Sequence, residues 1–78
     1  MKKVVMENSI GIYNIPEEVP IIVKKDGKII GFITYYDDSR EFGWTVRNGY
    51  RNLMSIFIKR EECAKRAIKV GYELTVDL

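Results

Sequence analysis

The spacing of apolar and polar positions changes character along the chain. Ile10, Ile12 and Ile15 alternate with small or polar neighbours, the period of a short strand. Ile15-Pro16-Glu17-Glu18-Val19-Pro20 then reads as a loop, because each proline disfavours the helical state for the residue before it. From Ile21 onward the period is two. The β-branched run Ile21-Ile22-Val23-Lys24-Lys25 meets Asp26-Gly27, a hairpin signal, since a type I′ turn needs positive φ at both central residues. The return strand runs from Lys28 to Tyr36. This register sets Lys25 opposite Lys28, Val23 opposite Ile30 and Ile21 opposite Phe32. Asp37 to Glu41 is the next loop and Phe42 to Arg47 the next strand. Asn48-Gly49 is a second hairpin signal, and a strand from Tyr50 to about Met54 completes a meander of about four strands.

Past that point the period lengthens. Phe57, Ala64, Ala67, Ile68 and Gly71 make a stripe at helical spacing, while Glu61, Glu62, Lys65, Arg66 and Lys69 make the polar set. Acidic residues open the segment and basic ones close it, which complements the helix dipole. Glu61 with Lys65 and Glu62 with Arg66 stand four apart in the favourable order. Gly71 suits the left-handed residue that ends a helix. Tyr72-Glu73-Leu74-Thr75-Val76 alternates as a short final strand. The predicted fold is α+β: a small antiparallel meander, one C-terminal helix packed on one face and the final strand, all in one domain over residues 1–78.

Alternation also sorts the side chains between the two sheet faces. Ile21, Val23, Ile30, Phe32, Phe42, Trp44, Val46 and Leu53 fall on the face the helix is expected to cover. Ile22, Ile29, Ile33 and Tyr35 fall on the other, with Thr45, Arg47, Tyr50, Asn52 and Met54 towards the far edge. One helix cannot cover both faces of such a sheet. The second face is shielded by the N-terminal segment or left for a partner, and an open apolar patch marks an interaction site.

Composition narrows the chemistry. The chain has 78 residues, 46% of them hydrophobic and 31% charged, and a net charge of +2 that permits nucleic-acid contact without demanding it. There is no histidine, which removes the commonest general base and metal ligand. A single cysteine allows no internal disulfide and no cysteine-based zinc site. A secreted domain of this size usually carries several disulfides, so a reducing, cytoplasmic setting is expected. The start, Met1 to Met6, has the charge of a leader peptide, but Glu7, Asn8 and Ser9 end its apolar stretch early, and no run approaches the length of a membrane span. Eleven isoleucines beside eight lysines suggest an AT-rich coding sequence.

Few residues carry candidate chemistry. Asp37, Asp38 and Glu41 could offer oxygens to a divalent metal, but no calcium-loop spacing is present and Asp caps turns by binding local amides. Cys63 has no histidine to make it a thiolate and reads as a small, partly buried helix residue. No glycine cluster forms a phosphate-cradling loop. Lys24, Lys25 and Lys28 gather at the first hairpin tip, where lysines keep a hairpin soluble. Arg47 and Tyr50, flanking the second turn, are expected to point out together.

The stretch Ile22-Val23-Lys24-Lys25-Asp26-Gly27-Lys28-Ile29-Ile30-Gly31-Phe32-Ile33-Thr34 resembles the central hairpin of CBS domains, a family in which adenine nucleotides bind. There a helix soon follows, whereas here another strand does. Trp44-Thr45-Val46-Arg47-Asn48-Gly49 and Arg60-Glu61-Glu62-Cys63-Ala64-Lys65-Arg66-Ala67, in strands-then-helix order, resemble the AP2-type DNA-binding domains of phage integrases. Those lay a three-stranded sheet in the major groove. The strand Ile21–Lys25, the N-terminal segment and the final strand depart from that pattern. Neither stretch assigns the chain to a family.

The function expected from these readings is that of a non-enzymatic interaction protein without cofactor, metal or catalytic residues. It would act through a sheet face or edge by self-association or by binding a cellular or host protein, with Ile22, Ile29, Ile33 and Tyr35 as the binding residues. An accessory protein of a phage or mobile element fits the size and composition. The alternative is a small nucleic-acid-binding domain using Arg47, Tyr50, Arg51 and Asn52. No membrane contact is expected.

Overall fold

The computed structural model describes residues 3–6 and 15–77, with side chains from residue 15 to 76. The strand predicted through Ile10 and Ile12 lies outside them. Within the described residues one antiparallel sheet forms in the order β1-β6-β2-β3-β4-β5. Its strands are β1 (Lys3–Met6), β2 (Ile21–Lys25), β3 (Lys28–Asp37), β4 (Phe42–Asn48), β5 (Arg51–Asn52) and β6 (Glu73–Asp77), and the helix α1 spans Arg60–Lys69. The α+β class, the meander and the single helix match the reading of the pattern.

The final strand is central rather than peripheral. β6 lies between β1 and β2, so Leu74 and Val76 are fully buried and Thr75 is only 2% exposed. β1 is a strand that the sequence reading passed over as a leader-like start. Its register runs from Lys3 opposite Asp77 to Met6 opposite Leu74.

The core forms where α1 lies on the sheet. Ile21, Val23, Ile33, Val46, Leu74 and Val76 meet Cys63, Ala64 and Ala67 of the helix, and Ile15 joins them from the loop before β2. The small helix residues let the backbone approach the strands closely. The helix ends in a Schellman motif. Tyr72 N–H donates to the Ala67 carbonyl and Gly71 N–H to the Ile68 carbonyl, each at 3.0 Å, with Gly71 at φ +98°. Arg60, the first residue of α1, is only 9% exposed.

Two registers differ from expectation. At the first hairpin the turn is as predicted: Asp26 and Gly27 both have positive φ, and Lys25 faces Lys28. Beyond Lys24 opposite Ile29, however, a β-bulge intervenes, so Val23 faces Gly31 and Ile21 faces Ile33. Ile30 is the extra residue. A one-residue shift sends each later side chain to the other face. Ile33 therefore enters the core at 2% exposure, and Phe32, placed in the core by simple alternation, is 40% exposed. Tyr35 likewise joins the helix side, opposite Trp44.

At the second hairpin the turn residues are Gly49 and Tyr50, not Asn48 and Gly49, because Asn48 pairs with Arg51. Among these turn residues only Gly49 has positive φ, at +62°, the pattern of a type II′ turn with glycine first. β5 is then only two residues long. The chain beyond it keeps to the edge of β4: Leu53 N–H donates to the Val46 carbonyl at 2.7 Å, and Trp44 and Phe57 exchange backbone hydrogen bonds of 2.6 and 2.8 Å. Residues 56 and 57 approach so closely that a Cβ on Gly43 would stand 2.4 Å from the Phe57 carbonyl oxygen.

Candidate interaction surface

The sheet face turned away from α1 is built by the bulge. Register partners share a face, and those partners trace a row straight across the sheet: Thr75, Ile22, Phe32, Arg47 and Asn52. A second row holds Glu73, Lys24 and Ile29. Thr34 stands opposite Thr45, and Tyr36 opposite Gly43. Ile29 is 56% exposed, while Ile22, Thr34, Tyr36 and Arg47 are half-buried.

The polar groups of this face are unevenly satisfied. Thr45 Oγ1 donates to the Met54 carbonyl at 3.0 Å, where the chain after β5 folds against β4. The Arg47 guanidinium stands 4.9 Å from the centre of the Tyr36 ring, a cation–π contact. Arg47 Nε and Thr75 Oγ1 are buried with no hydrogen-bond partner among the described residues. Leaving a buried donor unpaired costs about 1–3 kcal/mol, a cost that an ordered water at either atom would relieve.

The Tyr36 hydroxyl donates to Asp38 Oδ2, and Asp38 Oδ1 accepts the amides of Arg40 at 2.7 Å and Glu41 at 3.0 Å. Those bonds, the Tyr36 hydroxyl first, hold the Asp38 carboxyl below its ordinary range. The same hydroxyl-to-carboxylate bond raises the Tyr36 phenol. The loop carboxylate thus closes the β3–β4 turn, and among the described residues no group of three acidic, cysteine or histidine side chains gathers where a metal could sit. Cys63 is fully buried, and desolvation pushes its thiol up to about 12.

The structure splits both sets of candidate residues. Of the protein-binding set, Ile22 and Ile29 lie on the helix-free face. Ile33 is a core residue and Tyr35 is on the helix side, both displaced by the bulge. Of the nucleic-acid set, Arg47 and Asn52 share the helix-free face, Arg51 pairs with Asn48 and by alternation belongs to the other, and Tyr50 is 99% exposed at the turn tip. Arg47 faces Asn52, not Tyr50. Sequence reasoning missed Phe32, Thr34, Tyr36 and Thr75 on this face. Gly31 was the available signal, since a lone glycine within a strand marks a bulge or a close approach. A Cβ there would stand 2.5 Å from the Arg47 carbonyl oxygen.

No protein-family model matches the chain, and neither does any curated protein or solved structure. Among the described residues no helix is long and apolar enough to cross a membrane.

Proposed function

We propose that the chain is a non-enzymatic interaction protein that binds another protein surface, a second copy or a cellular partner, through the helix-free face of its sheet. The observation that carries this reading is the row Thr75–Ile22–Phe32–Arg47–Asn52, in which an exposed phenylalanine stands between Ile22 and the half-buried Arg47. An apolar centre with hydrogen-bonding groups around it suits a protein interface. The charges favour protein over nucleic acid. Lys24 faces Glu73 across the strands, and Arg47 and Arg51 belong to opposite faces, so the face presents no basic stripe. The lack of histidine and the buried, hard-to-ionise Cys63 support a role without catalysis.

The test combines sedimentation with nucleic-acid anisotropy. For a second copy as partner, sedimentation should show association of the native chain that Phe32→Asp abolishes while the fold persists. An apolar interface should hardly respond to salt between about 50 and 200 mM, whereas phosphate contacts weaken steeply over that range. Salt-sensitive binding of DNA or RNA, lost with Arg47→Ala, would overturn the protein reading.

A further inference from the structure

A separate surface lies on the helix side, where β3 and β4 run past the start of α1. Tyr35 and Trp44 are register partners there, and their rings meet edge to face with centroids 5.3 Å apart and planes at 74°. The turn before β2 is closed by the Val19 N–H donating to the Pro16 carbonyl at 3.0 Å, which puts Glu17 and Glu18 at its two central positions. Glu17, Glu18, Tyr35 and Trp44 together line one cleft of about 610 Å³.

Buried contacts hold the walls of this cleft. Ile15 is anchored in the core at 6% exposure. The Arg60 guanidinium donates to the carbonyls of Ile15 and Pro16 and stands 5.6 Å from the centre of the Trp44 ring. Arg60 thereby fastens the acidic turn, the helix start and Trp44 to one another, and it is not among the residues lining the cleft beside Tyr35. Among the described residues, what lines that cleft is two aromatic rings near a right angle and two carboxylates, Arg60 standing over the Trp44 ring outside it.

We propose that this cleft binds an organic cation, an ammonium or guanidinium group on a short alkyl stem. Aromatic faces attract such a group through their quadrupole and accept its alkyl part, while the carboxylates supply the opposite charge. A phosphate would meet the two carboxylates that line the cleft, and a divalent metal would find rings where it needs oxygens. The cation comes either as a free alkylamine or as a lysine or arginine side chain of a polypeptide. The site is on the opposite side of the sheet from the face discussed above and stands independently of it.

Trp44 is the only tryptophan, so its emission reports from the cleft wall. The full chain is titrated with tetramethylammonium, n-butylammonium and an acetylated lysine amide. Potassium chloride at matched ionic strength and tert-butanol serve as controls. Saturable changes in Trp44 emission are expected with the ammonium compounds and not with the controls. The double substitution Glu17→Gln with Glu18→Gln, and separately Tyr35→Leu, should each weaken binding about three- to thirty-fold; all three side chains are exposed, so the fold should persist. Tighter binding of the lysine amide than of n-butylammonium assigns the cation to a polypeptide, and the reverse order to a small molecule. The proposal is overturned if no ammonium compound saturates the signal, if tert-butanol reproduces it, or if the glutamine variants bind as well as the native chain.

Discussion

The two hairpins of the meander carry turn signals of the same kind and depart from them in different ways. In β4–β5 the turn slides by one residue, from Asn48-Gly49 to Gly49-Tyr50, and Arg47 faces Asn52 instead of Tyr50. Sliding a two-residue turn by one moves the register by two, so every side chain keeps its face. In β2–β3 the turn stays in place, but the bulge moves the register by one, and Phe32 and Ile33 exchange faces. A misplaced turn alters which residues are neighbours; a missed bulge alters which residues are buried.

The largest expected effect breaks this comparison at the bulge. Ile33→Asp places a carboxylate in the core and should cost about 4 kcal/mol or more, enough to unfold a small domain. Phe32→Asp, one residue away and 40% exposed, should cost about 1–2 kcal/mol. Urea denaturation of the two variants distinguishes them, and the reverse order would restore simple alternation through β3.

Gly31→Ala comes next. Its Cβ would stand 2.5 Å from the Arg47 carbonyl oxygen, so β3 and β4 must part, at about 1–3 kcal/mol. A neutral result in thermal melting would mean that Gly31 is not the point of close approach.

The core that Ile33 joins also holds Cys63 of α1, whose thiol is pushed from 9.0 to about 12 by burial. Below pH 9 both folded and unfolded chains keep this proton. Between pH 9 and 12 the unfolded chain releases it and the folded chain does not, so stability should fall as pH rises, by up to about tenfold in the unfolding equilibrium per pH unit. Cys63→Ala should flatten that decline in denaturation curves taken across the window. An unchanged slope would mean that the thiol is not held neutral by the core.

The smallest effect sharpens the other hairpin. Gly49 has φ +62° and open space around it, so Gly49→Ala should cost about 1 kcal/mol from backbone strain alone. Gly49→Asn should recover part of the loss, since asparagine tolerates the left-handed conformation. Equal stability of all three chains in chemical denaturation would contradict the positive φ.

What the sequence made legible follows from how local each signal is. The strands β2, β3, β4 and β6, the helix, Gly71 as the helix stop and the Asp26-Gly27 turn rest on neighbours in the chain and were readable, whereas β1 was passed over. The place of β6 between β1 and β2 depends on pairing between the chain's two ends, for which no nearby residue is a guide. The burial of Arg60 was not legible because the Ile15 and Pro16 carbonyls it binds lie more than forty residues upstream. For the candidate surface, Ile22 and Ile29 were placed correctly because they precede the extra residue Ile30 or lie on the unbulged strand. Ile33 and Tyr35 were not, because they follow it. Gly31 carried the clue, but a glycine in a strand does not say which way the register moves.

The most direct test of the helix-free face is thiol labelling of Phe32→Cys and Ile33→Cys under native conditions, with Cys63 left in place as an internal buried thiol. Phe32→Cys should take up a single label rapidly, while Ile33→Cys should stay unlabelled until the chain unfolds. Rapid labelling of Ile33→Cys with protection of Phe32→Cys would contradict the bulge, and with it the surface row on which the proposed function rests.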